Sequence, residues 1–427
     1  MKATFLLGSG ISIPANLPSV SEISNAILSG DRLVIEPDGR VVDEKVLASH
    51  WVEEARESEV GKGREKVRRI LLLLDWLKVQ ANSRYAEIEG RPANYEDLAY
   101  LAGQISDDLG EEYENPALQP FIRNALIDLS GLFPDPTPHA AREELRKLAQ
   151  TTVDYIRQVV ARELSKPFSD TSYLQVFADA CKDPLVSEVN LFTLNHDTLL
   201  ERFLAENKIG VVDGLRVASN GDGSRRWEIS VFDNPRGERR VNLFKLHGSV
   251  NWWRWEPRRG PAQDEALGEN ADRNRRFVGT YKPRDPNKPL YERLLENEGP
   301  RILAGTFNKI LGYNSELFLE LHHRLHMALQ DCKTLVACGY GFGDKGINTR
   351  IAEWRHRPSL PKLLIIDPAK PSVIVQKARG AVQREIATID PLTPIDPLPP
   401  GVVMHWQNGL SDSRVTWERI RAVLEDC

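Results

Sequence analysis

Short apolar runs recur along this chain, and most of them stop at a glycine or at a side chain able to hydrogen-bond. They are Ala3–Leu7, Glu188–Leu194, Val241–Leu246, Arg301–Ala304, Thr334–Cys338 and Lys362–Ile366, with helical patterns between several of them. Short buried runs joined by helices imply an α/β fold, a Rossmann-like doubly wound parallel sheet, because parallel strands need crossovers and are covered on both faces. Sheets of this kind bind ligands beyond the carboxyl ends of their strands. The residues that follow each run are therefore the first place to look for chemistry.

From about Val41 to Ala180 the pattern changes. Amphipathic helical spacing takes over, as in Val67, Ile70, Leu71, Leu74 and Leu77, or Leu145, Leu148, Ile156, Val159 and Val160. Asn94 precedes Glu96 and Asp97 in the manner of a helix cap followed by an acidic first turn. With 427 residues the chain exceeds what one core usually supports. The expected organisation is a discontinuous sheet domain, 1–40 and 181–427, with an inserted helical module, 41–180. The polar stretch from Trp253 to Pro300 reads as a lid, a small β-meander or a mobile excursion. Pro391–Pro400, rich in proline, reads as a connector to a last strand, Val402–Trp406, and a last helix, Val415–Leu424.

Composition removes several classes of function. A net charge of -5 argues against general nucleic-acid affinity, and no direct nucleic-acid binding is expected. The four cysteines form no C-x-x-C pair, which suggests neither a disulfide framework nor structural zinc. No run approaches the roughly 20 apolar residues of a membrane span, and the opening MKATFLLGSGIS is too short for a signal peptide. A cytoplasmic protein without a membrane role is expected.

Four segments carry chemistry-bearing residues. Gly8-Ser9-Gly10-Ile11-Ser12 follows the first run, where glycines let a backbone approach a diphosphate and a helix start offers N–H donors. Thr193-Leu194-Asn195-His196-Asp197 ends the second run, so Asn195 and Asp197 face the crevice or cap the next helix. His247 in Leu246-His247-Gly248 places an imidazole at a loop start, as a base or as a satisfied structural group. Gly339-Tyr340-Gly341-Phe342-Gly343-Asp344 and Asp367 end two further runs, as nucleotide contacts or as plain loops and caps. Histidines 322, 323 and 326 have helical spacing without an acid between them, which reads as a solvated or packed helix face.

Taken together and in this order, Gly8-Ser9-Gly10-Ile11-Ser12, Thr193-x-Asn195-x-Asp197 and Leu246-His247-Gly248 resemble the sirtuin signatures. Gly339-Tyr340-Gly341-Phe342-Gly343-Asp344 with Ile347-Asn348 is similar to a variant found in the bacterial sirtuin-like branch, best known in antiviral defence. The resemblance covers Met1 to about Gly30 and about Pro184 to Ala369. Two departures stand out: the zinc-holding cysteines of the protein deacylases are missing, and Ile13-Pro14-Ala15-Asn16 replaces the usual phenylalanine-arginine loop.

The resemblance implies an NAD hydrolase that splits the nicotinamide-ribose bond to nicotinamide and ADP-ribose, with NAD as substrate and no zinc, depleting NAD in antiphage defence. It implies Asn195 and His247 as catalytic residues, the first positioning ribose and water, the second acting as general base. Gly8, Ser9, Gly10 and Ser12 would cradle the diphosphate and Asp197 the nicotinamide amide. Thr193, Gly339, Tyr340, Gly341, Asp344 and Asp367 would complete the nucleotide site. A homo-oligomer is implied, with a gating partner: a HerA-type ATPase first, a short prokaryotic Argonaute second. The rival readings are a scaffold that senses NAD or ADP-ribose without turnover, and a deacylase or ADP-ribosyltransferase using the same cleavage.

Overall fold

The computed structural model describes residues 1–427 except 47–52, 111–114, 219–221, 234–238, 259–275, 284, 286–288, 295–298, 306–311, 315, 388–401 and 426–427. Pro391–Pro400 lies outside the described residues, as does part of the stretch from Trp253 to Pro300.

In chain order the strands are β1 (Lys2–Leu7), β2 (Leu33–Ile35), β3 (Val41–Asp43), β4 (Glu188–Thr193), β5 (Leu215–Val217), β6 (Ser224–Trp227) and β7 (Arg240–Lys245). They continue as β8 (Trp253–Pro257), β9 (Phe277–Tyr281), β10 (Tyr291–Arg293), β11 (Thr334–Cys338), β12 (Lys362–Ile366) and β13 (Val403–Trp406). Six of them form one sheet in the order β13-β12-β11-β1-β4-β7, and every neighbouring pair is parallel. The chain builds outward from β1 through β4 to β7. It then returns to the other side of β1 and builds outward again through β11, β12 and β13. This is the Rossmann strand order, and the reversal lies between β1 and β11, the place where sheets of this kind usually bind their ligands.

The strands are short and almost wholly buried because both faces are covered. Ala3, Phe5, Leu7, Leu191 and Leu243 pack on one face with the helices Gln175–Lys182, Leu199–Glu206 and Trp417–Glu425. Leu6, Phe192, Phe244, Leu335 and Ile365 pack on the other with the helices Glu316–Asp331 and Lys345–Arg355. The expected last strand and helix are found at Val403–Trp406 and Trp417–Glu425.

The helical block has a core of its own. Val67, Ile70, Leu74 and Leu77 from helix Glu53–Glu89 meet Leu98 and Ile105 from Tyr95–Leu109, and Leu145, Ile156 and Val160 from Pro138–Leu164. Asn94 caps as expected, its side chain accepting from Glu96 and Asp97 N–H while Asp97 accepts from Asn94 N–H. Such a reciprocal cap stabilises a helix by about 1 kcal/mol. Ile23 and Ile27, from the helix Val20–Ser29 that follows β1, and Val250 and Ile302 share this core, so the block is seated beside the carboxyl ends of β1 and β7.

Three details differ from the sequence reading. Helix Gln175–Lys182, counted there with the helical block, belongs to the sheet: Phe177 meets Phe5 edge-on at 5.4 Å. Helical periodicity looks the same whether the apolar face meets a helix or a sheet. Arg301–Ala304 is no strand, and only Ile302 makes an isolated antiparallel bridge, to Gly248. Its short apolar run pairs with a loop instead of a sheet. Finally, the described parts of 253–300 form three strands of a five-stranded antiparallel sheet, β10-β8-β9-β6-β5, with Trp253, Trp255, Phe277 and Tyr291 as its small core.

Candidate active site

The loops after β1, β4, β7, β11 and β12 all emerge at the carboxyl edge of the sheet, so its topology brings the four motif segments and Asp367 to one edge. The two glycine loops meet first. Gly8 N–H donates to Cys338 O and Gly10 N–H to Gly339 O, both at 3.0 Å. A Cβ on Gly8 would lie 2.5 Å from Gly339 O, and one on Gly339 would lie 2.7 Å from Ile11 N. Gly339 also has φ +58°, a left-handed conformation that other residues adopt at a cost. These glycines therefore serve the contact between two backbones at the reversal point. Gly341 and Gly343 differ: both are exposed, and a Cβ on either would meet nothing within 4 Å. Ser9 is exposed at the same edge.

The loop after β4 builds one wall. Thr193 Oγ1 accepts from Asn195 N–H at 3.1 Å and shapes the turn that leaves the strand. Asn195 Nδ2 donates to Gly8 O at 3.1 Å and to Ser12 Oγ at 2.9 Å, and Ser12 Oγ donates to Asp197 Oδ2 at 2.7 Å. Asp197 Oδ1 accepts from Leu199 N–H at 3.0 Å, so it caps the helix and belongs to the site at once. Asn195 is 8% exposed. With both amide hydrogens engaged, its Oδ1 remains an acceptor without a partner among the described residues. Beneath this wall Lys245, buried in β7, donates from Nζ to Asp197 O and to Glu201 Oε1, the latter at 2.7 Å. Burial raises the Glu201 carboxyl, and the Lys245 ammonium opposes that shift.

The second wall is aromatic. His247 Nε2 lies 3.1 Å from Asp344 Oδ2, and the Tyr313 hydroxyl donates to the same oxygen at 2.7 Å. Tyr313 lies nearly parallel to His247, with centroids 6.1 Å apart, and stacks on His322 at 3.7 Å. His322 is 2% exposed, and its Nε2 bonds to Leu246 O at 3.2 Å. Burial and the charge of Asp344 push the Tyr313 phenol far up, so it stays a donor. Burial, with His247 second, pushes the His322 imidazole down to about 3, so it stays neutral. The His247 loop itself is clamped: Leu303 N–H donates to His247 O at 2.9 Å and Ser249 N–H to Arg301 O at 3.1 Å. Gly248 has φ +81°, and a Cβ there would fall 1.9 Å from Arg301 O. That contact is why glycine follows the histidine.

Residues 189–391 match the family model of the SIR2-like domain. The SIR2-like match takes in Asn195, Asp197, His247, Asp344 and Asp367, leaves the Gly8–Ser12 loop outside, and supports a sirtuin-like family, whose domains are typically NAD-dependent enzymes. No curated protein matches the chain. Three residues expected at the nucleotide are held by the protein itself. Ser12 bridges Asn195 and Asp197. Tyr340 is buried with its hydroxyl donating to Asn348 Oδ1 at 2.8 Å. Asp344 holds His247 and Tyr313, and accepts from Ile347 N–H as a helix cap. Asp367 ends β12 half-buried, its Oδ1 accepting from Ala369 N–H at 2.8 Å.

Tyr313 and His322 were not singled out as site residues from sequence. The His322, His323 and His326 group was the available signal, and it divides: His322 packs against the site while the other two are exposed. Among the described residues no three His, Cys, Asp or Glu side chains are grouped to hold a metal, and no helix is long and apolar enough to cross a membrane. A cavity of about 740 Å³ opens at the opposite, amino-terminal ends of β1, β4 and β7, and none of the site residues lines it. The carboxyl edge remains the candidate active site, because the titratable and hydrogen-bonding groups converge there.

Proposed function

We propose that this protein hydrolyses NAD at the nicotinamide-ribose bond, releasing nicotinamide, ADP-ribose and a proton, and that it acts as an NAD-depleting effector of antiphage defence in the cytoplasm. The observation that carries this reading is that Asn195 and His247 lie together at the carboxyl edge of a doubly wound sheet, both within the residues that match the SIR2-like domain. Positive charge develops on the ribose as nicotinamide leaves. An acceptor oxygen fixed in advance stabilises such charge without reorganising, and Asn195 Oδ1 is held that way by the two bonds of its amide nitrogen. His247 accepts the proton of the attacking water. A carboxylate against one imidazole nitrogen orients the ring for that work, which is the role we assign to Asp344.

Exposed Ser9, Gly341 and Gly343 are the ones we assign to the diphosphate and nucleotide, with Gly8, Gly10 and Gly339 shaping the loops that present them. Asp197 is assigned to the nicotinamide amide and Asp367 to a ribose hydroxyl. We further propose a homo-oligomer gated by a separate protein, a HerA-type ATPase first and a short prokaryotic Argonaute second, with the helical module as the contact region. Exposed Val79 and Ile127 on that module support this assignment.

The test is nicotinamide release by purified wild type, Asn195→Ala and His247→Ala, alone and with proteins encoded beside it. Loss of the general base lowers the rate by roughly 10²-fold or more. Both variants are expected to fall at least that far with their thermal transitions nearly intact. Normal turnover by Asn195→Ala defeats the mechanism, and NAD binding without turnover under every condition replaces the hydrolase with a sensing scaffold.

A further inference from the structure

The strands that carry the crevice at one end have an unusual face at the other. On the side covered by helix Glu316–Asp331, the register aligns three rows across β1, β4 and β7. The first is charged: Lys2, Glu188, Arg240. The second is polar: Thr4, Asn190, Asn242. The third is apolar: Leu6, Phe192, Phe244. On the opposite face the first two rows of the same strands are apolar, Ala3, Val189 and Val241 and then Phe5, Leu191 and Leu243, and only the third, at the carboxyl edge, turns polar with Thr193 and Lys245 beside Leu7. Strands covered on both faces normally read apolar on both, so a buried polar row calls for a cause.

That row floors the cavity of about 740 Å³. Asn242 is satisfied, donating to Asn190 Oδ1 at 2.8 Å and accepting from Arg240 Nε at 2.6 Å. Thr4 and Asn190 are each only 4% exposed. Among the described residues neither the Thr4 hydroxyl nor Asn190 Nδ2 has a partner. Two buried polar groups therefore face the cavity with hydrogen bonds still to make. At its apolar end the rings of Phe232 and Phe244 stack at 5.0 Å. Four basic side chains line the cavity, Lys2, Arg240, Arg324 and Lys333, against the acids Glu188, Asp331 and Glu425. Lys2 is already paired with Glu188 and Asp331, and Arg324 with Asp233 and Glu320, which leaves room for little added negative charge.

We propose that this cavity is a second ligand site, separate from the crevice, for a purine nucleoside monophosphate. The base lies toward Phe232 and Phe244, the polar row reads its ring nitrogens and the ribose through Asn190 and Thr4, and the single phosphate lies at the mouth among the mixed charges of Lys2, Arg240, Lys333 and Glu188. The volume admits such a molecule, and the near balance of charge disfavours a triphosphate.

The experiment is photo-cross-linking of the full chain with 8-azidoadenosine monophosphate, followed by peptide mapping, in wild type, Thr4→Val and Asn190→Leu. Adducts are expected on peptides from 316–333 or 240–245, competed by AMP. Removing one buried hydrogen bond weakens binding about tenfold, so each variant should cut that labelling about tenfold while labelling of 8–12 and 339–344 is unchanged. Adducts confined to the crevice peptides, no adduct at all, or labelling of 316–333 that both variants leave intact would each overturn the proposal. If Asn190→Leu does not fold, the near-isosteric Thr4→Val decides. The readout needs no NAD turnover, so it stands apart from the fate of the hydrolase reading.

Discussion

The two walls of the crevice are built on different principles. One, from Gly8 to Ser12 and Asn195 to Asp197, is a chain of short hydrogen bonds laid directly on backbone at the ends of adjacent strands. The other, His247 with Asp344, Tyr313 and His322, is three rings and a carboxylate drawn from separate segments. The first wall is thus fixed by how the strands end, and the second by how side chains pack. Damage to the backbone contacts of the first should appear as lost folding, whereas damage to its Asn195 side chain or to the second wall should appear as lost rate.

The largest contrast lies within a single loop. Gly339→Ala must accept a left-handed backbone and place a methyl group against Ile11 N. Strain and overpacking each cost about 1–3 kcal/mol, so a loss of about 2–4 kcal/mol is expected in urea unfolding. Gly341→Ala, two residues on, meets open space and should stay within about 0.5 kcal/mol of wild type. If Gly341 lies against the nucleotide, its variant raises the KM for NAD instead. Equal destabilisation by both substitutions would erase the distinction between packing glycines and presenting glycines.

Tyr313→Phe probes the other wall. It keeps the ring that stacks on His322 and removes one hydrogen bond to the Asp344 carboxylate. Loss of a bond to a charged group in the network that orients the base is expected to lower kcat about tenfold. The KM for NAD should stay within about twofold, because the hydroxyl is spent on Asp344. A change in KM with kcat preserved would make Tyr313 a substrate contact, and an altered pH dependence of kcat would separate a role through His247 from a merely structural one.

The same contrast governs what the sequence made legible. Gly8–Ser12, Thr193–Asp197, His247 and Gly339–Asp344 each follow a strand, so contiguous motifs locate them, and the parallel sheet then brings them together. Alternation of apolar runs and helical patterns gave the sheet, and Asn94 gave a helix start. What escaped was set by tertiary packing. Tyr313 carries no local pattern, and His322 shares its spacing with two exposed histidines. Arg301–Ala304 has the composition of a strand but pairs with the His247 loop. The glycines read as nucleotide contacts include three that meet each other, Gly8, Gly10 and Gly339, because a motif shows that backbone comes close to something without showing what.

His322 offers the smallest effect and the cleanest sign. In the folded protein burial and the nearby His247 push its imidazole down to about 3, whereas an unfolded histidine takes a proton near 6.5. Below pH 6.5 the unfolded chain therefore binds a proton that the folded one refuses. The stability linked to His322 is full above that pH and is lost as pH falls from about 6.5 toward 3, at up to about 1.4 kcal/mol per pH unit. Carboxylates titrate over part of the same range, so wild type is best compared with His322→Gln, which retains a donor for Leu246 O but cannot titrate. Urea unfolding between pH 4.5 and 7 should give a flatter acid limb in the variant. Parallel curves would mean that His322 takes up its proton in the folded state, and an aromatic wall that admits that charge would be far more open to water than its burial implies.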